Sequence, residues 1–330
     1  MDFSFIIPVF NRPAEIDELL RSLAVQNRKG FEVVVVEDGS TQSSEAVVEK
    51  YRDRLDLAYF SKPNSGPGLS RNYGCERAKG QYVIFLDSDC VLPQSYFQTV
   101  EGALQAHYTD AFGGPDRAHA EFTRLQKAIN YSMTSFLTTG GIRGGTEKLG
   151  KFHPRSFNMG FSKKVFEATG GFSGMRFGED VDLSIRILDM GFQTQLIKEA
   201  YVYHKRRTNL RQFFKQVYNS GIARINLEKR HPGTLKLVHA FPALFTLGVV
   251  VFVLLSLIVS PWFIAPFLLH LGILFFSATL STRSLGIGLL ALATSYTQLF
   301  AYGLGFLQAF WRRKILRRKE YSAFSRSFYH

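Results

Sequence analysis

The chain has 330 residues, enough for one large domain or two smaller ones, and is rich in Phe (31) and Tyr (14). Its two cysteines, Cys75 and Cys90, show neither metal-ligand spacing nor a disulfide framework, which argues against a disulfide-stapled secreted fold and fits a reducing, cytosolic setting. Forty basic against 27 acidic residues give a net charge of +13, a balance suited to nucleic acid, anionic lipid or an anionic small substrate. The largest basic cluster, Arg312-Arg313-Lys314 with Arg317-Arg318-Lys319, directly follows a long apolar stretch, and this points to a membrane flank and away from a nucleic-acid groove.

In chain order, Phe3 to Val9 reads as a buried strand with Pro8 near its end, where a ladder donor can be spared. No basic region precedes it, so a cleaved signal peptide is not expected. Asn11 is a candidate N-cap for a helix with Pro13 in its first turn and an apolar face of Ile16, Leu19, Leu20 and Leu23. Glu32 to Val36 is a second strand, followed by Glu37-Asp38-Gly39-Ser40; Ser44 to Arg54 and Leu57 to Phe60 make a further helix–strand unit. A Gly/Pro-rich loop, Lys62 to Gly74, leads into a helix that ends near Gly80. Tyr82 to Leu86 is then a strand of five apolar or aromatic residues ended by Asp87-Ser88-Asp89. Strands alternating with helices imply a parallel, doubly wound sheet whose crevice lies beyond the strands' carboxyl ends.

Pro93 to His107 reads as a helix, whereas the stretch from Asp110 to about Gly150 has no clear period and holds a Gly-rich run, Thr138 to Thr146, that is either a loop over a site or a surface excursion. Regularity returns at Ser156 to Ser162, then Gly178-Glu179-Asp180 opens a helix, Val181 to Met190, before two short strands, Gln193 to Ile197 and Ala200 to Tyr203, that end at His204. Residues 208–237 form an amphipathic helix and linker, with Phe213, Phe214, Val217, Tyr218 and Ile222 among Arg211, Lys215, Arg224, Lys229 and Arg230; a membrane interface and a soluble-domain helix are both open to it.

From Val238 the chain turns apolar, giving candidate spans at Val238 to Ser260, Trp262 to Leu280 and Leu285 to Phe310, each long enough for roughly 30 Å of hydrocarbon. None has a polar face, so membrane insertion is expected over residues 238–311, with a basic tail at 312–330. The basic flanks on both sides of this region call for an even number of crossings, while the apolar segments count to three; the Pro-flanked Trp262 to Leu280 is the candidate for a re-entrant or interfacial segment.

Asp87-Ser88-Asp89 alone is either an acidic turn or a pair of hard oxygen ligands for Mg²⁺ or Mn²⁺ on a diphosphate. It stands, however, in an ordered set: Phe5 to Arg12, Val35 to Ser40, Gly66 to Gly74, Asp87 to Asp89, Asn158-Met159-Gly160 and Gly178-Glu179-Asp180. Together these closely resemble the family two glycosyltransferases, over about residues 3–207. The resemblance implies an inverting enzyme with a GT-A fold, an α/β, Rossmann-like, mostly parallel sheet over residues 1–207. An interfacial helix and C-terminal transmembrane helices would follow, as in the membrane-bound members.

What the resemblance implies can be stated by residue. Pro8, Phe10, Arg12, Asp38, Gly66, Arg71 and Asp87 would bind the nucleotide, Asp38 accepting from a uracil N–H or a ribose hydroxyl. The chain departs from the usual pattern in carrying Glu37 before Asp38. Asp89 and Asp87, with His204, would hold Mg²⁺ or Mn²⁺, and Asn158, Met159 and Gly160 would line the acceptor or sugar pocket. Asp180 is the candidate general base, with Glu179 beside it, although two acids opening a helix are also favourable as caps. The implied function is transfer of a sugar from a nucleotide-diphosphate donor, UDP-sugar favoured, to a lipid-linked or membrane-proximal acceptor. That chemistry would serve glycolipid or envelope polysaccharide synthesis, with the catalytic domain on the cytosolic side of a bacterial inner membrane and no nucleic-acid partner. The rivals are a catalytically silent membrane scaffold, a processive polysaccharide synthase, against which the lack of a Gln-X-X-Arg-Trp motif counts, and, more distantly, a nucleotidyltransferase.

Overall fold

The computed structural model describes residues 1–119, 121–140 and 152–324; Gly141 to Thr146 of the Gly-rich run lie outside them. The alternation expected at the N-terminus is present as β1 (Phe3–Val9), α1 (Pro13–Ala24), β2 (Phe31–Asp38), α2 (Glu45–Glu49), β3 (Asp56–Lys62), α3 (Pro67–Arg77) and β4 (Tyr82–Leu86). Then come β5 (Cys90–Val91), α4 (Tyr96–Ala106), β6 (Ala111–Gly113) and β7 (Asp116–Arg117), with α5 (Arg124–Thr134) and α6 (Phe136–Thr139) after them. The series β8 (Asn158–Ser162), α7 (Lys163–Thr169), α8 (Glu179–Asp189), β9 (Thr194–Leu196) and β10 (Val202–His204) precedes four longer helices, α9 (Leu210–Arg230), α10 (Leu237–Ile258), α11 (Ala265–Thr282) and α12 (Leu285–Phe310).

Seven strands form one sheet in the order β3-β2-β1-β4-β8-β6-β9. The first four are parallel, β8 runs antiparallel to both β4 and β6, and β9 is parallel to β6. The continuous apolar runs follow from burial on both faces. Phe3, Phe5, Ile7 and Val9 join Val33, Val35, Ile84 and Leu86 in one core, whereas Ile6, Val34, Val36, Val83 and Phe85 join the other. Helices α1 and α4 supply Ile16, Leu19, Leu23 and Phe97 to the first face, and α8 supplies Leu183 and Ile187 to the second. Each large side chain so buried stabilises by roughly 1.5–3 kcal/mol, and a one-residue slip of β1 would exchange the two sets, so the register is tightly specified.

A second sheet of three short strands, β5-β10-β7, positions the end of the domain. Its register sets His204 opposite Cys90, and the Lys205 N–H donates to the Asp89 carbonyl at 3.1 Å. Asn11 is not the N-cap of α1; that place belongs to Arg12. Asn11 instead has φ 52°, and its side-chain oxygen accepts from the N–H groups of Thr41 and Gln42 at 2.8 and 3.0 Å, which ties the end of β1 to the loop after β2.

The chain divides into two compact units, Met1–His119 with Glu147–Lys205, and Ala120–Thr146 with Arg206–His330. Residues 121–140 therefore group with the C-terminal helices, although they fall within the span 1–207 expected for the GT-A domain. Within this second unit α5 packs on the middle of α12, with Ala128 and Tyr131 against Ile287 and Ala291, and the Thr294 hydroxyl donates to the Ala128 carbonyl at 3.1 Å. The apolar face of α9 is covered by α12 through Phe213, Val217, Ile222 and Ile225 against Ala301, Phe306 and Ala309. Leu237–Ile258, Pro261–Thr282 and Leu285–Ile315 are each long and apolar enough to cross a membrane.

Candidate active site

The site is assembled at the carboxyl ends of β1, β2 and β4, where Arg12, Asp38 and the Asp87–Asp89 turn emerge. Arg12 pairs with Asp89 Oδ2. His204 Nε2 stands 3.1 Å from Asp89 Oδ1 and 3.7 Å from Asp87 Oδ2. The His204 ring stacks on Phe157 with centroids 5.0 Å apart.

Arg71 sits on the buried side of α3, only 3% exposed, and its guanidinium joins two carboxylates. One nitrogen donates to Asp87 Oδ1 at 2.5 Å and another to Glu179 Oε1 at 3.2 Å, while the group lies over the Phe172 ring. The charge expected to face a nucleotide is thus spent inside the protein, linking the Asp-X-Asp turn to the acid pair. Removing Arg71, the one cation of this set, would leave two carboxylates uncompensated, a loss of about 3–5 kcal/mol.

Glu179 and Asp180 open α8 after Gly178, whose φ of +84° is left-handed and favours glycine. The two acids are driven apart. Burial, reinforced by the neighbouring Asp180 charge, pushes the Glu179 carboxyl up to about 7, against the pull of Arg71. Burial also acts to raise Asp180, but the Arg155 guanidinium, whose Nε is 2.6 Å from Asp180 Oδ2, outweighs it and holds Asp180 below the usual carboxylate range. Asp180 Oδ1 accepts from the Val181 N–H at 2.8 Å.

Several expected site residues do other work. The Asp38 carboxylate accepts from the N–H groups of Ser65 and Gly66 at 2.8 and 2.9 Å and from Lys62, so it organises the loop that enters α3. Glu37 accepts from the Ser44 N–H at 2.7 Å and from Ser40, fixing the loop after β2. Pro8 and Phe10 are half-buried, and Gly66 is buried with its N–H on Asp38. Asn158, Met159 and Gly160, expected at the acceptor or sugar pocket, lie in β8 between β4 and β6, where all three are buried in the sheet. The Asn158 side chain accepts from the Tyr96 hydroxyl at 2.6 Å and donates to the Ala200 carbonyl at 2.8 Å, and Met159 belongs to the core.

The donor atoms of Asp89, His204 and Cys90 all lie within 4.8 Å of one another. The Cys90 thiol donates to the Phe157 carbonyl at 3.5 Å, and burial pushes it well above its ordinary range, which disfavours the thiolate. Asp89 and His204 remain, and with Asp87, whose Oδ2 lies 3.7 Å from His204 Nε2, they offer two carboxylates and an imidazole, a set that fits a divalent cation of the Mg²⁺ or Mn²⁺ kind, the nitrogen tilting it toward Mn²⁺.

A model of the family described as Glycosyl transferase family 2 matches residues 4–177. The chain belongs to that family. It is 39% identical over 114 residues to the poly(ribitol-phosphate) beta-N-acetylglucosaminyltransferase TarS of Staphylococcus aureus, a match covering 33% of this chain and 20% of TarS. It thus spans only about a fifth of that relative's length. Among solved structures it resembles the mannosyltransferase PcManGT from Pyrobaculum calidifontis in complex with GDP-Man and Mn²⁺, with a TM-score of 0.59 at 16% identity over 94% of this chain and 87% of that one. It also resembles S. aureus TarS 1–349 in complex with UDP-GlcNAc, with a TM-score of 0.50 at 21% identity over 93% and 92%. The fold is the GT-A type.

Sequence reasoning missed Arg155 and Phe157. Both belong to the turn before β8, pinned by the Ser184 hydroxyl on the Pro154 carbonyl at 2.7 Å and the Asn158 N–H on the Arg155 carbonyl at 3.0 Å. Within this family-two chain that one turn reaches both Asp180 and His204. Only the position of Arg155 three residues ahead of Asn158-Met159-Gly160 could have signalled it, and spacing alone does not reveal a contact with α8.

Proposed function

We propose that the chain is a membrane-anchored inverting glycosyltransferase that moves a sugar from a nucleoside-diphosphate sugar to a lipid-linked or membrane-proximal hydroxyl. The reading rests on one arrangement: Asp87, Asp89 and His204 cluster at the end of β4, and Arg71 ties that cluster to the Glu179–Asp180 pair at the start of α8. Asp180 would take the acceptor hydroxyl's proton as its oxygen bonds to the anomeric carbon, and the bond from that carbon to the diphosphate oxygen breaks. Asp180 suits this role because it stays ionised at neutral pH. Asp87, Asp89 and His204 would hold a divalent cation, which when bound supplies positive charge to the departing diphosphate. Asp38 acts on the nucleotide through the loop it holds. The long apolar helices of the same chain support a membrane-proximal acceptor.

The test is release of nucleoside diphosphate from a panel of UDP- and GDP-sugars by the full chain in membranes, with Mn²⁺, Mg²⁺ or chelator. At least one donor should give release that chelator abolishes, with the product's anomeric configuration inverted. No turnover with any donor, the acid pair being intact, would instead favour the silent scaffold.

A further inference from the structure

We propose that Arg155 is a positioning residue for this transfer, fixing the Asp180 carboxylate in one orientation through its Nε contact. The inference rests on the reading of Asp180 as the base. Arg155 is held from two sides, since its own carbonyl accepts from Asn158 and the adjacent Pro154 carbonyl accepts from Ser184 on α8, the helix that carries Asp180. Its side chain thereby meets Asp180 Oδ2 at 2.6 Å while the Val181 N–H takes Oδ1 at 2.8 Å, and the two contacts together determine the carboxylate plane. The Asp180 side chain is 8% exposed, but that of Arg155 is 39% exposed, so the pair is a built contact on the solvent side of a buried acid. The other charged groups around Asp180 are Glu179, one residue back on α8, and Arg71 from α3, which is already engaged by Asp87 and Glu179. No second cation among the described residues is placed to take over the role of Arg155. The same turn carries Phe157 against His204, so it spans from the base to the candidate metal ligands.

The experiment compares wild type, Arg155→Gln, Arg155→Lys, Asp180→Asn and the double variant Arg155→Gln/Asp180→Asn as full chains. Donor turnover is followed from pH 5 to 9 with UDP-GlcNAc and GDP-mannose, and thermal stability is measured alongside. Arg155→Gln should lower kcat by about a hundredfold with little change in donor KM, the scale of a misplaced catalytic group. It should also move the acid limb of the pH profile to higher pH than in wild type, because an unpaired buried carboxylate protonates more readily, with Glu179 beside it titrating in both. Arg155→Lys should recover part of the rate. The stability lost in Arg155→Gln should largely vanish in the Asp180→Asn background. Wild-type kcat and profile in Arg155→Gln, or an equal stability loss with and without Asp180, would overturn the role of Arg155 even with Asp180→Asn inactive. Near wild-type turnover in Asp180→Asn would instead overturn the base assignment itself.

Discussion

Arg71 shows how one side chain sets the electrostatics of its surroundings. Its charge is shared between Asp87 and Glu179, which leaves Glu179 half-compensated beside a second acid that Arg155 contacts directly. The consequence is a stability term with a definite sign. The Glu179 carboxyl rises from its ordinary 4.5 to about 7 through burial and the Asp180 charge, so the folded state binds that proton more tightly than the unfolded chain. The stabilisation is complete below about pH 4.5 and is lost as pH rises through 7. Asp180, held low, acts in the opposite sense, contributing above its ordinary 3.8 and losing that contribution only in stronger acid. Glu179→Gln mimics the protonated form at every pH. It should melt close to wild type at pH 5 and gain on it by roughly 2–3 kcal/mol by pH 8. Thermal melts across that range check this, and parallel wild-type and variant curves would refute it.

At the level of elements, the helix pair α9 and α12 depends on close approach at two glycines. A Cβ on Gly221 would run into the Tyr302 carbonyl and lie 2.8 Å from the Phe306 nitrogen, and one on Gly305 would run into the Tyr218 carbonyl. Gly221→Val and Gly305→Val should each cost about 1–3 kcal/mol by forcing the helices apart. Gly272→Val on α11, where a Cβ would meet nothing within 4 Å, should be nearly neutral. Melting of detergent-solubilised protein separates the two cases. The same pair shows what the sequence carried. The apolar face of α9 was legible from Phe213, Val217 and Ile222, but its partner was not, since nothing local says that Gly305 lies beside Tyr218. The β1-to-β4 series was legible because both faces of each strand are apolar, and the positions of Asp89 and Asp180 were legible because one follows the end of a strand and the other opens a helix. Antiparallel β8 and the pairing of β10 with β5 depend on contacts distant in sequence, so the burial of Asn158 between Tyr96 and Ala200 was not legible. Helix α5 did leave a local signal that was overlooked. Thr123 and Gln126 form a capping box, with Gln126 N–H on Thr123 Oγ1 at 3.2 Å and Thr123 N–H on Gln126 Oε1 at 3.0 Å.

For the whole molecule, three long apolar helices would place the chain before them and the chain after them on opposite sides of a bilayer if all three crossed. The C-terminal tail argues otherwise. Asn219 on α9 donates to the Ala323 carbonyl at 3.0 Å and accepts from its N–H at 2.8 Å, Asn226 donates to the Tyr321 carbonyl at 3.2 Å, and Arg230 Nε meets Glu320 at 3.0 Å. A tail bonded to α9, which precedes every candidate span, would lie on the same side as α9 in a membrane, which predicts an even number of complete crossings. Helices α10 and α11 are the natural out-and-back pair, their surfaces dominated by exposed groups such as Leu254, Leu257, Leu269 and Leu280. Helix α12 is the most covered of the three, with α5 and α9 laid along it, and α5 begins Arg124-Leu125-Gln126-Lys127, charges that are costly at hydrocarbon depth. This predicts α12, where the sequence pointed to the Pro-flanked Trp262 to Leu280, as the helix that does not complete a crossing. Reporters fused after residue 324 and inserted between Arg283 and Ser284 should both give the signal of the N-terminal side, and a cysteine at Ser260 should be labelled from the opposite face. A C-terminal reporter on the far side would require three crossings, and the contacts of Asn219 and Asn226 with the tail could not then exist in the membrane.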